Sequence, residues 1–115
     1  MTQHDDDLRL HHMRDHGREA LELIRSVDQP AFRRDRLLQL GIVRLLEIVG
    51  EAAAHTPGSV KSEHPEIPWR DISDLRNRLI HGYATIDLDI VWSILHHDLP
   101  SLVAQLDAIL EPTPE

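Results

Sequence analysis

The sequence predicts an all-α fold, an up-and-down bundle of four to five helices, from three observations. Apolar residues recur at spacings of three and four through most of the chain. No segment alternates apolar and polar residues in the way a half-exposed strand would. Helix-breaking residues gather at few places, namely 28–30, 55–68, Gly82 and Pro100. Helices of this kind bury their stripes by packing side by side. The 115 residues are expected to form one domain, 1–115, long enough for a single core and too short for two.

The first helix carries Met13, Gly17, Ala20, Leu21, Ile24 and Val27 as one stripe, and Asp28, Gln29 and Pro30 break it. A second, longer helix is expected from about Ala31 to Ala54. Its main stripe is Leu38, Ile42, Leu45, Leu46, Val49 and Ala53. Leu37, Leu40, Val43 and Ile48 widen that stripe almost all round, which makes this the expected central helix. Gly41 and Gly50 weaken it locally and mark places of expected close helix–helix approach. "HTPGSVKSEHPEIP" is the one long loop. Pro68 suits the first turn of a third helix, which runs through Trp69, Ile72, Leu75, Leu79 and Ile80 and stops at Gly82 as a left-handed cap. Asp87 is the expected N-cap of a fourth helix carrying Ile90, Val91, Ile94 and Leu95. Pro100 kinks or restarts the chain. A last helix then presents Leu102, Val103, Leu106, Ile109 and Leu110, and "EPTPE" is a tail.

Composition excludes several functions. Without cysteine there is no disulfide, no thiolate metal site and no Cys nucleophile. The N-terminus "MTQHDDDLRL" has no apolar stretch of the signal-peptide kind. No apolar run approaches the ~18–20 residues that span a bilayer. A cytoplasmic protein with no membrane contact is the expectation. The formal charge of -8 opposes general nucleic-acid binding, which rests on basic surface. The acids, however, cluster at the ends, as Asp5, Asp6, Asp7, Glu111 and Glu115. All but one of the 12 basic residues are Arg, and Arg33, Arg34, Arg36, Arg44, Arg70, Arg76 and Arg78 fall in the middle. The Arg fork suits phosphate, so composition leaves both a local basic groove and plain solvated faces open.

Chemistry concentrates in "DLRNRLIHGY", residues 74–83. On a continuous helix Asn77 and His81 share a face, whereas Arg76 and His81, five apart, diverge by ~140°. A second copy of the helix, supplied by a dimer, is one way to bring an Arg and a His together. The end of the helix macrodipole favours a protonated imidazole at His81. An imidazole both accepts and donates protons near neutrality. A guanidinium holds phosphate and stabilises the charge that builds on it. Together they are minimum parts for metal-independent RNA cleavage with the 2′-hydroxyl as internal nucleophile. Tyr83 lies just past the cap, where a phenol is accessible. The plainer reading makes His81 a helix cap, Arg76 an ion-pair partner of Asp71 or Asp74, and Tyr83 a packing residue; spacing alone favours it.

Two other sets need weighing. His12 and His16 have the spacing of a zinc pair, but no third ligand is fixed, and His96 and His97 point to different faces. Solvated surface His and no metal site are expected. Glu47 and Glu51, also four apart, are expected in structural salt bridges to Arg44 or Arg76. A contact with Arg76 would hold its guanidinium in place. Trp69 and Trp92 are expected as core or dimer-interface anchors, since few other aromatics support base stacking.

"RNRLIHGY" resembles the R-N-x3-H-x-Y signature of the HEPN superfamily, specifically its HepT-like toxin branch. "LLEIVGEAA" at 45–53 resembles the second-helix motif of that branch, and residues 64–102 resemble the branch's next block almost without gaps. The likeness covers about residues 30–110 and leaves the first part of the chain without a placed motif. It implies a ribonuclease that needs no cofactor, a helical bundle and a homodimer with its two signatures facing each other. Arg76 and His81 would be the catalytic pair and Asn77 a supporting residue, with the RNA, tRNA or mRNA, left open. It also implies a type VII-like toxin–antitoxin pair, in which an MntA-type nucleotidyltransferase antitoxin neutralises the toxin by transferring AMP to Tyr83. The acidic N-terminus and single Lys depart from what RNA affinity needs. They suit the rival reading better: a catalytically silent helical partner, or nucleotide-binding accessory, of a nucleotidyltransferase.

Overall fold

The computed structural model describes residues 3–82 and 85–111, with side chains from Asp7 onward. In chain order the elements are α1 (Gln3–Leu23), α2 (Gln29–Arg34), α3 (Arg36–Ala54), α4 (Gly58–Glu63), α5 (Trp69–Ser73) and α6 (Leu75–Leu79). After these come two short strands, β1 (Ile80–His81) and β2 (Thr85–Ile86), then α7 (Leu88–Ser93), a π-helical turn at Ile94–Asp98, and α8 (Leu99–Leu110). The fold is all-α, with one two-residue antiparallel ladder.

α1 packs against both α3 and α8, and these three helices hold the core. Leu10, Met13, Ala20 and Ile24 of the α1 region are buried with Ile42, Leu46, Val49 and Ala53 of α3 and Leu102, Val103 and Leu106 of α8. Gly17 permits the close approach of α8, since a Cβ there would lie 3.0 Å from a Val103 methyl. Gly50 does the same for α5, because its Cβ would meet the Ile72 carbonyl oxygen at 3.0 Å. That second contact fixes α5, and through it α6, onto the central helix. Gly41 has open space around it instead, contrary to the expected close approach there.

The helices are cut more finely than periodicity suggested. Asp28 and Pro30 start a helix as well as ending one: the Asp28 side chain accepts from the Ala31 N–H at 2.9 Å, and Pro30 sits in the first turn of α2. Asp35 then interrupts the expected helix from 31 to 54, because its carboxylate accepts from the Leu38 N–H at 3.0 Å and caps α3. Within the expected loop, α4 folds and buries Val60. Pro100 lies in the first turn of α8, directly after the π-helical turn. Leu37 and Leu40 correct the view of α3 as apolar and covered almost all round: they are 83% and 45% exposed.

The third helix differs most. It breaks at Asp74, and α6 ends at Leu79, where Ile80 turns extended (φ -125°, ψ 124°). Ile80 pairs with Ile86 and His81 with Thr85. The Leu79 carbonyl, which a continuing helix would use, instead accepts from the Asp87 N–H at 2.8 Å. Gly82 has the expected positive φ, +63°, but at the turn of a hairpin rather than at a helix end. His81 is therefore a strand residue, and the macrodipole argument made for it on a helix does not apply. β-Branched Ile80 and Ile86 favour the extended form once each has a partner.

Candidate active site

α6 is short, and its burial sets which side chains face out. Leu75 and Leu79, four apart, are both buried, which leaves Arg76 and Asn77 exposed. Arg76 is 79% exposed, and its Nε lies 3.6 Å from a carboxylate oxygen of Glu47, itself only 20% exposed on α3. A pair this open to water adds little stability, and it sets a carboxylate beside the guanidinium. Among the described residues its terminal nitrogens meet no other carboxylate. The expected link from the Glu pair to Arg76 thus runs through Glu47 alone, while Glu51 lies 3.7 Å from Arg44.

Asn77 does not share a face with His81, because the helix ends between them. Its side-chain amide donates to Asp74 Oδ1 at 2.5 Å, and its backbone N–H to the Asp74 carbonyl at 3.1 Å. Asn77 therefore ties down the junction of α5 and α6.

His81 is 63% exposed and its Nε2 lies 2.8 Å from Asp87 Oδ2. Asp87 is 24% exposed, and its other oxygen accepts from the Ile90 N–H at 3.1 Å, the cap expected for α7. One carboxylate thus starts a helix and engages the imidazole. The hydrogen bond from His81 does most to hold the Asp87 carboxyl below its ordinary range, helped by the Ile90 N–H and opposed by partial burial. The sequence reading gave Asp87 only the capping role. The available signal was a glycine turn between two isoleucines, which brings position 87 back toward position 81.

Arg76 and His81 are held by different carboxylates, Glu47 on α3 and Asp87 at the start of α7, and no hydrogen bond or ion pair joins them among the described residues. Tyr83 lies outside the described residues. Several central arginines are matched by carboxylates: Arg33 pairs with Asp89, Arg44 with Glu51 and Arg78 with Asp98. The more enclosed of the two main concavities, about 480 Å³, is lined by Asp71, Leu75, Arg78, His97, Asp98 and Leu102 among others, and includes neither Arg76 nor His81.

The remaining candidates are structural in character. His12 and His16 stand edge to face with ring centres 6.0 Å apart, and His16 Nδ1 bonds the His12 carbonyl. Among the described residues, no three His, Cys, Asp or Glu side chains gather in a way that could hold a metal. Trp92 stacks between Phe32 and His96, and Trp69 donates to the His64 carbonyl. No helix is long and apolar enough to cross a membrane among the described residues.

A family model described as ribonuclease HepT-like matches residues 13–109, and so takes in much of α1, where no motif had been placed. A relative named "Probable ribonuclease HepT", from Thermococcus cleftensis, is 38% identical over 95 residues, covering 79% of this chain and 86% of its own. A relative from Methanocaldococcus jannaschii with a provisional RNase name is 27% identical over 109 residues, covering 95% of this chain and 100% of its own. Another of that kind, from Caldanaerobacter subterraneus, is 32% identical over 91 residues, covering 79% and 81%. No solved structure matches the chain at a significant level. On the match across residues 13–109, the chain belongs to the HepT-like ribonuclease family.

Proposed function

We propose that this protein is a metal-independent endoribonuclease toxin that acts in the cytoplasm as a homodimer. The observation that carries the reading is an exposed guanidinium and an exposed imidazole, each with its own carboxylate beside it, in a chain of the HepT-like family. In this reading His81 takes the proton of a ribose 2′-hydroxyl. The freed oxygen bonds to the adjacent phosphorus while the bond from phosphorus to the 5′ oxygen breaks. The leaving oxygen takes a proton from water, and the hydroxide so formed takes back the proton held by His81. The products are a 2′,3′-cyclic phosphate and a 5′-hydroxyl. Arg76 pairs with the non-bridging oxygens as charge builds on them. Asn77 contributes indirectly, by fixing the start of the helix that carries Arg76.

Two observations support a dimer. The two main concavities among the described residues lie away from Arg76 and His81, so one copy offers RNA an open surface. α3 also presents an uncovered stripe of Leu37, Leu40 and Arg44 that leads along one face to Glu47, which holds Arg76. A second copy packed on that stripe covers apolar surface and sets the two sites side by side.

For regulation, the reading includes an MntA-type nucleotidyltransferase antitoxin that transfers AMP to Tyr83, two residues beyond His81. Added bulk and negative charge there would repel and occlude RNA phosphate. The substrate is RNA, with tRNA and mRNA both admitted. The formal charge of -8 favours the silent-partner reading, and one experiment separates the two. Host growth is followed after induced expression of the wild type and of His81→Ala at matched soluble levels, with Tyr83 shown unmodified by intact mass. Growth arrest by the wild type alone supports the nuclease. Two equally harmless proteins would support the silent partner.

A further inference from the structure

The geometry points to Asp87 as a positioning residue that selects the working nitrogen of His81: it holds Nε2–H and leaves Nδ1 free to exchange protons with RNA. The inference rests on the reading of His81 as the proton-transfer group and deepens it.

A carboxylate only accepts hydrogen bonds, so the 2.8 Å contact requires a proton on His81 Nε2. A neutral imidazole carries one ring proton, and Nδ1 is then the nitrogen with the lone pair. Nδ1 of His81 has no hydrogen-bond partner among the described residues, on a side chain open to solvent. Other histidines behave in the opposite way. His11, His16, His55 and His96 each use Nδ1 on the carbonyl four residues earlier, an arrangement local to their own helices.

Asp87 is itself immobilised, as an orienting group must be. Its backbone N–H is bound to the Leu79 carbonyl at 2.8 Å, and its Oδ1 is held by the Ile90 N–H at 3.1 Å. Oδ2 is the oxygen that meets His81. The nearby charges are committed elsewhere: Asp89 to Arg33 of α2, Arg76 to Glu47 of α3, and Arg78 to Asp98. The imidazole therefore has a single carboxylate partner among the described residues.

Two substitutions separate orientation from capping. In Asp87→Asn the one amide oxygen remains with the Ile90 N–H, so the NH2 group faces Nε2 and forces it to accept. The ring proton then moves to Nδ1 and the base is lost. Asp87→Ser still caps α7 but is too short to reach the ring. The test is long-range ¹H–¹⁵N NMR of histidine-labelled full-length protein across a pH series, beside RNA cleavage by the same samples. Expected are the Nε2–H tautomer in the wild type and the Nδ1–H tautomer in Asp87→Asn, with helicity unchanged. Cleavage by Asp87→Asn falls by roughly 100-fold or more, and by Asp87→Ser less. An Nδ1–H tautomer in the wild type overturns the proposal without any variant, as does a His81 signal that Asp87→Asn leaves unmoved. If the tautomers behave as stated but His81→Ala cleaves RNA as the wild type does, the ribonuclease reading of His81 fails instead. The positioning role given to Asp87 then falls with it.

Discussion

The layer of α1, α3 and α8 and the segment from Asp74 to Asp87 are built on different physics. The first is held by apolar area: residues at spacings of three and four are buried against one another, and the force between them has no preferred direction. The second adds directed bonds to the burial of Leu75 and Leu79. Asn77 is fixed by Asp74, the end of α6 by the Asp87 amide, and His81 by the Asp87 carboxylate. Arg76 and His81 stay exposed, while the carboxylates beside them, Glu47 and Asp87, are half-buried. A site that must meet solvent and substrate cannot be positioned by burial of its own groups, so the core positions the elements and hydrogen bonds position the side chains. Gly50 is the joint between the two, where α5 rests against α3.

Substitutions on the two sides should separate stability from chemistry. The largest effect on folding belongs to the core: Leu46→Ala, at a fully buried position, is expected to cost about 2–5 kcal/mol in urea unfolding. Any loss of cleavage should track the unfolded fraction. Gly50→Ala acts on the joint. Its Cβ, 3.0 Å from a backbone oxygen, should cost about 1–3 kcal/mol. It should also lower cleavage below what unfolding explains, because α5 and α6 move. A fall in activity equal to the unfolded fraction would break the proposed coupling. Glu47→Gln should leave unfolding within about 1 kcal/mol of the wild type while cutting cleavage by roughly 10-fold, since Arg76 loses its anchor. If the proposed dimer forms on the Leu37 and Leu40 stripe, Leu37→Glu should leave the fold of each copy intact and shift sedimentation toward monomer.

The smallest effect is on pH. The Asp87 carboxyl titrates lower in the folded chain than in the unfolded one, chiefly through its bond with His81. A depressed carboxyl contributes stability that is fully present above its unfolded value, about 3.9. That contribution is lost as pH falls through the lower folded value. Acid unfolding of Asp87→Asn should therefore depend less steeply on pH in that window than unfolding of the wild type.

The comparison also explains what the sequence disclosed. Repeated apolar spacing revealed α1, α3 and α8, and the Asp87 cap was legible because N-caps are local. The break at Asp35 was equally local, but it stands among Arg33, Arg34 and Arg36 with no Gly or Pro to mark it. The end of α6 was not local. Ile80 turns extended because Ile86 is there to pair with it, and a two-residue ladder is too short to show alternation. Leu37 and Leu40 mislead for another reason: periodicity identifies an apolar stripe and does not say whether this chain covers it. Of the site, Arg76 and His81 were visible as residue types. Their carboxylate partners depended on the fold, although Glu47 was already a candidate by its spacing from Glu51.

The most direct test is cleavage of RNA by purified wild type, Arg76→Ala and His81→Ala in excess chelator, with helicity and dimer content matched. The account predicts cleavage by the wild type with 2′,3′-cyclic phosphate ends, and a loss of roughly 100-fold or more in each variant. Wild-type cleavage abolished by chelator, or variants that cut as well as the wild type, would contradict it.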